Sequence, residues 1–313
     1  MEHLIESTGR VPPSKRSNRF GFFSIILICS LGILVYSNSF ICSFHFDDVV
    51  FIINNFNIRN IYNLQGVWNW WPCRFITFLS FAFNYRLHQL DVGGYHLFNL
   101  IVHLFSSVLV WWLVCLTLST PVLKDKPIAR HSNLIALLSG LIFVAHPIQT
   151  QAVTFIWQRA ASMAALFYLA SLCFYIKSRL NQGAVKFYYT CSLITAIMAM
   201  LTKENTVTLP LMIAFYQASF LKADKNINWK PLAPFFFFFL IIPALGVLSR
   251  PEKVQAAHSF VSNISPLQYF LTELRVLLTY VRLIFVPLNQ NLDYDYSLTW
   301  ALLTTCKEKF LKL

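Results

Sequence analysis

A chain of 313 residues with 57% hydrophobic and 12% charged side chains and a mean hydropathy of +0.56 carries more apolar surface than one soluble core can hide, which places it in a bilayer. Its net charge of +12 does not mark a nucleic-acid binder, because Lys and Arg lie in short loops between apolar runs and are not gathered on a solvated face. The seven Cys form no CxxC pair and no zinc spacing, and Cys29, Cys115, Cys173 and Cys191 fall inside apolar runs, so they read as fillers of core or lipid-facing positions.

Residues 1–19 read as a cytoplasmic tail, with Arg10, Lys15, Arg16 and Arg19 ahead of the first apolar run. That run, Phe20 to Ile41, is too long for a signal-peptide core and ends at Asn38 and Cys42 without a small-x-small cleavage site, so it reads as a retained anchor. Hydropathy then predicts an all-α polytopic membrane protein with about seven to eight spans. After the first they fall at Tyr95 to Leu118, Asn133 to Ala145, Ala160 to Ile176, Phe187 to Leu201, Thr206 to Leu221, Pro234 to Leu248 and Leu267 to Val286. Segments five and six are joined so briefly, at Lys203-Glu204-Asn205, that they must form a hairpin. Basic residues orient the bundle, since Lys and Arg are retained on the cytoplasmic side. With the amino terminus inside, Lys124, Lys126 and Arg130, then Lys177, Arg179 and Lys186, then Lys222, Lys225 and Lys230 are cytoplasmic. The other side receives a mixed polar set of Asp47, Asp48, Asp91, His146, Arg159, Lys203 and Glu204, and chemistry is to be sought there.

The first outer connection, Ser43 to Gly94, is too long for a simple link. Trp68-Asn69-Trp70-Trp71-Pro72 resembles an aromatic belt, and Phe75 to Tyr85 is apolar but too short to span, so interfacial helices are expected here. No internal repeat, linker or low-complexity tract divides residues 20–313, which read as one membrane domain without a repeat domain.

Asp47 and Asp48 follow the first span directly. Two carboxylates near hydrocarbon are costly, about 2.5 to 3.5 kcal/mol each at mid-bilayer, which favours a use for them. One reading is a helix cap or a solvated pair. The other is a general base, or a ligand for Mg²⁺ or Mn²⁺ with a base beside it, Asp48 being the metal candidate. Arg159 could snorkel to headgroups or bind phosphate through its planar fork. His146 could be a satisfied helix-end residue or a site residue, and Lys203-Glu204 a surface ion pair or a group that orients phosphate or sugar.

Phe44-His45-Phe46-Asp47-Asp48, Arg74 with Ser80 to Tyr85, Tyr95-His96-Leu97-Phe98-Asn99-Leu100, His146-Pro147 through Arg159, and Lys203-Glu204-Asn205 occur in an order that resembles the membrane part of the transmembrane and tetratricopeptide-repeat O-mannosyltransferases and their bacterial relatives. These are GT-C glycosyltransferases. The resemblance runs from about Tyr36 to Pro210, and weakly to Pro287-Leu288 and Asp293 to Tyr296. It implies a GT-C-like bundle that moves a sugar, mannose foremost, from a polyprenyl-phosphate donor to a protein or glycan acceptor on the lumenal or periplasmic face. It further implies Asp47 and Asp48 as the catalytic acidic motif, His146, Arg159 and Lys203 at the donor phosphate, and Glu204, Arg74 and His96 as further site residues. The repeat domain usual in the family is not seen before Leu313, which suggests a short form or a fragment. A transporter or flippase component, or an inactive remnant, is the rival reading; the charges gather at one face, unlike the mid-membrane charges and paired repeats of transporters. A bacterial inner membrane is the first expectation for location and the endoplasmic reticulum the second. Pro266 makes Asn263-Ile264-Ser265 a poor glycosylation site.

Overall fold

A computed structural model of the chain describes residues 15–181, 183–222, 229–248 and 266–291. Arg10, Lys225, the Asn263 sequon, the Asp293 to Tyr296 segment and the carboxy-terminal basic residues lie outside the described residues. Every regular element described is helical. α1 (Lys15–Val35) leads into a long connection containing α2 (Leu64–Trp70) and α3 (Phe75–His88). α4 (Val92–Leu118), α5 (Ser132–Ala145), the short α6 (Thr150–Thr154) and α7 (Arg159–Leu180) follow. α8 (Val185–Met200) leads through a 3-10 turn, Glu204–Thr208, to α9 (Leu209–Phe220), which packs on α7 rather than closing the expected tight hairpin on α8, and α10 (Ala233–Leu248) and α11 (Pro266–Phe285) come after it.

Three helical stretches are long and apolar enough to cross a membrane: Val92–Leu118, Pro127–Ala145 and Ile156–Leu180. Arg19–Val35, Val185–Met200 and Lys230–Leu240 are apolar but shorter. The chain is therefore a membrane protein, with three helices of full spanning length among the described residues. The expected span at Leu267 to Val286 is an amphipathic helix instead. Glu273, Arg275 and Arg282 interrupt its apolar surface, and α11 is not among the helices that meet the spanning criteria.

Local chemistry sets the helix ends. The Asp91 carboxylate accepts the Gly93 N–H at 3.1 Å and so starts α4 by satisfying a donor that the first turn leaves free. Gln89 ends α3 in a left-handed conformation, φ 53°, with its N–H on the Tyr85 carbonyl at 2.9 Å. Pro127 and Pro147 open short 3-10 turns, where a missing N–H costs nothing.

α4 is the hub: it packs on α1, α5 and α7, and α7 packs along α8. Lipid supplies no hydrophobic drive for helix association, so such contacts need close backbone approach and polar pairing. Gly32 of α1 lies against Leu104 and Val144, and Gly140 of α5 lies against Ile28 and Trp111. Ser171 and Ser192 each donate to the other's carbonyl, at 2.9 and 2.8 Å, joining α7 to α8. The Tyr175 hydroxyl donates to Gln217 at 2.6 Å across to α9.

Successive antiparallel crossings collect Lys124, Lys126, Arg130, Lys177, Arg179, Lys186, Lys222 and Lys230 at one end of the bundle. The long first connection lies at the other. There α3 buries Thr77, Phe78, Ser80, Phe81, Ala82 and Asn84 while Phe83 and Leu87 stay exposed, so this expected interfacial helix is packed into the protein on one side. It is fastened to the α8–α9 turn by the Ile76 N–H on the Leu201 carbonyl at 2.9 Å and the Thr77 hydroxyl on the Thr202 carbonyl at 2.8 Å.

Gly140→Leu forces a side chain between α1 and α4, and overpacking of this kind costs about 1–3 kcal/mol. Denaturant unfolding of the purified protein in detergent should show that loss; an unchanged midpoint would mean the helices are not in close contact at Gly140.

Candidate active site

The acidic pair sits on a distorted turn. Phe46 adopts a left-handed backbone, φ 50°, which is strained for a bulky residue. A five-residue π-helix, Val49–Ile53, starts directly after Asp48. This geometry sends the two carboxylates to different environments. Asp48 is fully buried. One of its oxygens accepts the Trp157 N–H at 2.7 Å, and the other accepts the His45 N–H at 3.2 Å with the His45 ring 4.0 Å away. Burial pushes its pKa up, against the opposing pull of those two N–H groups. Asp47 is exposed, and its pKa is also raised by partial burial, while the Arg74 charge holds it down. Asp48 thus has the environment of a tether and Asp47 that of a group open to reactants.

Arg74 opens α3 and faces the α8–α9 turn. Its Nε lies 3.0 and 3.2 Å from the two Glu204 oxygens, and a terminal nitrogen donates to one of them at 3.0 Å. The guanidinium also stacks 4.1 Å from the Trp71 ring centre. Glu204 therefore pairs with Arg74 and not, as the adjacent residues suggest, simply with Lys203. Lys203 is half-buried; burial first, then the Arg74 charge, lower its pKa, and Glu204 opposes them. Asp47, Arg74, Lys203 and Glu204 thereby form one electrostatically linked group at the end of the bundle opposite the basic loops.

Arg159, expected at an exposed mouth, has no exposed surface. It donates to Asn99 at 2.7 Å, Asn84 at 2.5 Å, the Tyr95 carbonyl at 3.0 Å and the Ser80 carbonyl at 3.4 Å. Phe81 and Phe98 lie over its two faces, 4.5 and 4.3 Å from the guanidinium carbon. A phosphate could reach it only by displacing this cage, so the geometry gives Arg159 a positioning role: it joins α3, α4 and α7 two residues from the peptide that holds Asp48. His146 likewise has both ring nitrogens engaged, one accepting the Ile148 N–H at 3.2 Å and the other 3.0 Å from the Ile284 carbonyl at the end of α11. These contacts tie it to α11 and do not reach Asp47 or Arg74. His96 is buried in α4, 2.9 Å from the Cys42 carbonyl, which anchors the chain just before the acidic turn.

Among the described residues no three His, Cys, Asp or Glu side chains converge on a point that could hold a metal ion. Asp48, the metal candidate, already uses both oxygens on backbone N–H groups.

Beside this group lies a crevice of ≈ 370 Å³, floored by Ala161, Ala164 and Ala165 of α7 and lipped by Asn205, Thr206 and Thr208 of the α8–α9 turn. Its α7 lining runs from Ala161 to Leu169, about 12 Å along the helix axis at 1.5 Å per residue.

The chain resembles the protein O-mannosyl-transferases. It is 30% identical to Protein O-mannosyl-transferase Tmtc3 of Drosophila melanogaster across 61% of its own length and 24% of the relative's. The mouse relative TMTC3 is 30% identical across 63% of this chain and 21% of its own length, and Protein O-mannosyl-transferase F38B6.6 of Caenorhabditis elegans is 23% identical across 91% and 41%. The chain thus spans less than half the length of these protein O-mannosyl-transferases. No protein-family model matches the chain. No solved structure matches it.

Trp157, Asn84 and Asn99 do more here than their residue types announce: the first acts through its backbone N–H, and the two amides act as neutral acceptors for Arg159. Arg159→Met strands both amides in the interior and should destabilise the protein by about 3 kcal/mol or more, since bonds to a buried charged donor are worth about 1.5–3 kcal/mol each. Thermal unfolding in detergent measures this, and a near-neutral effect would mean the cage is not formed.

Proposed function

We propose that the chain is the membrane part of a GT-C-type glycosyltransferase that moves mannose from a polyprenyl-phosphate donor to a hydroxyl of a protein acceptor. The observation that carries this reading is the exposed Asp47 carboxylate under the influence of the Arg74 charge, with Lys203 on the turn whose Glu204 pairs with Arg74. Transfer of a glycosyl group passes through an oxocarbenium-like state. A proton leaves the acceptor hydroxyl as its oxygen bonds to the anomeric carbon, and the bond from that carbon to the phosphate oxygen breaks, leaving polyprenyl phosphate. Asp47 takes the proton. Arg74 and Lys203 stabilise the charge gathering on the leaving phosphate. Asp48 holds the acidic turn in place through Trp157, and Arg159 supports that arrangement from below. The crevice along α7 suits one hydrocarbon chain of the donor, with the polar lip at its phosphate end.

In this reading the shorter apolar helices join the three long ones in a polytopic bundle, with the basic loops cytoplasmic and the acidic turn lumenal. The animal sources of the relatives weigh for the endoplasmic reticulum membrane over a bacterial inner membrane.

Asp47→Asn should reduce mannose transfer from a polyprenyl-phosphate donor to peptide by about 10²- to 10⁴-fold, the range for loss of a general base, with the unfolding temperature unchanged. Full activity in this variant, or sugar-lipid flux that survives it without transfer, would overturn the assignment. Asp47 must be ionised to act, so kcat/KM should fall as pH drops through a pKa above the ordinary Asp value of about 3.9. Arg74→Gln removes the charge that holds Asp47 down and should move that acid limb to higher pH. A limb at the ordinary Asp value that does not respond to Arg74→Gln would exclude Asp47 as the base.

A further inference from the structure

The pairing of Arg74 with Glu204 is not needed to hold its surroundings together. Backbone and hydroxyl contacts from Ile76 and Thr77 to Leu201 and Thr202 already clamp α3 to the α8–α9 turn, at 2.9 and 2.8 Å. Trp71 supports the guanidinium face independently, 4.1 Å away. Lys203, ahead of Glu204, is extended at φ −158° and ψ 144°, and Glu204 begins only a short 3-10 turn, so its side chain can leave without unwinding a helix. The Glu204 side chain is 38% exposed against 17% for Arg74, so the pair opens on the carboxylate's side. Two oxygens of one anion on one guanidinium is also the geometry a phosphate offers.

We infer that the Arg74 fork is a phosphate-ester site and that Glu204 occupies it as a built-in stand-in until a phosphate displaces it. The consequence is competitive. With Glu204 in place, an arriving phosphate must exchange for a carboxylate already bonded through two oxygens; once displaced, Glu204 no longer neutralises Arg74, and Lys203 and Arg74 both face the newcomer. The exchange keeps the cationic pair masked in the absence of donor, which disfavours capture of unrelated anions. This inference depends on the transfer reading only for what bears the phosphate, since anion exchange at Arg74 is measurable without any sugar or acceptor.

The test is binding of inorganic phosphate and of farnesyl phosphate to the full chain in detergent, by calorimetry, for wild type, Glu204→Gln, Glu204→Ala and Arg74→Gln. Unfolding temperatures establish that each variant is folded. Removing the competing charge should tighten farnesyl phosphate binding about tenfold, a tenth of the wild-type Kd, in both Glu204 variants, and Arg74→Gln should abolish binding. Tightening for inorganic phosphate as well shows that the fork reads the phosphate alone; tightening for farnesyl phosphate only shows that the chain is needed to deliver it. Weaker or unchanged binding in both Glu204 variants, or no phosphate binding by any form, overturns the inference. Both probes lack a sugar, so the Glu204 effect on binding is read without any transfer: tightening in the Glu204 variants stands even if sugar transfer is never observed, and its absence overturns the inference whatever the transfer assay shows.

Discussion

The acidic turn depends on a hydrogen bond across 109 residues of sequence: the Asp48 carboxylate accepts the Trp157 N–H at 2.7 Å. In an interior of low dielectric a carboxylate without partners would be intolerable, so the chain cannot place Asp48 there unless the Phe155–Gln158 stretch is already presented. Arg159 presents it. Its guanidinium is held entirely by neutral oxygens from α3 and α4, an arrangement that leaves no counter-charge to compete with Asp48. The strained Phe46 and the π-helix beyond Asp48 are consequences: the backbone bends as required to deliver one acid inward, and the next residue back, Asp47, is left facing out.

That division explains why adjacent identical residues differ so much in character. Burial opposes ionisation of both, but Asp48 has N–H partners, whereas Asp47 has the nearby positive charge of Arg74. Asp47 is thus an exposed carboxylate under the influence of the Arg74 charge, and Lys203 feels that same charge and the opposing one of Glu204. Aromatic rings pack around the buried Asp48 carboxylate, with Phe51 stacked on Trp157 at 4.1 Å.

Much of this was legible in the sequence, though not evenly. Hydropathy located the apolar helices, because these follow from local composition and length. The acidic turn, Arg159 and the hairpin tip were expected at one end, and the Asp48–Trp157 bond brings the first two together there. What residue types could not disclose was burial. Arg159 reads as a phosphate ligand because its planar fork suits phosphate oxygens, whereas in the fold neutral oxygens of Asn84, Asn99, Ser80 and Tyr95 from two other helices take up its donors. His146 reads as a site residue by position, yet its ring meets the Ile284 carbonyl more than a hundred residues away. Arg74, named from resemblance, gains weight because its distant partner Glu204 is invisible to any local pattern. The expected span at Leu267 to Val286 is a helix, Pro266–Phe285, but Glu273, Arg275 and Arg282 keep it from the three that are long and apolar enough to cross a membrane.

The central claim is that Asp47 and Arg74 together bound the place where phosphate and acceptor meet. The most direct measurement is an experimental structure of the full chain with a polyprenyl-phosphate sugar bound. The account predicts the phosphate within hydrogen-bonding reach of Arg74, its hydrocarbon chain along Ala161 to Leu169, and the anomeric carbon on the side of Asp47. A phosphate bound instead at the opposite end, among Lys124, Lys126 and Arg130, would contradict it.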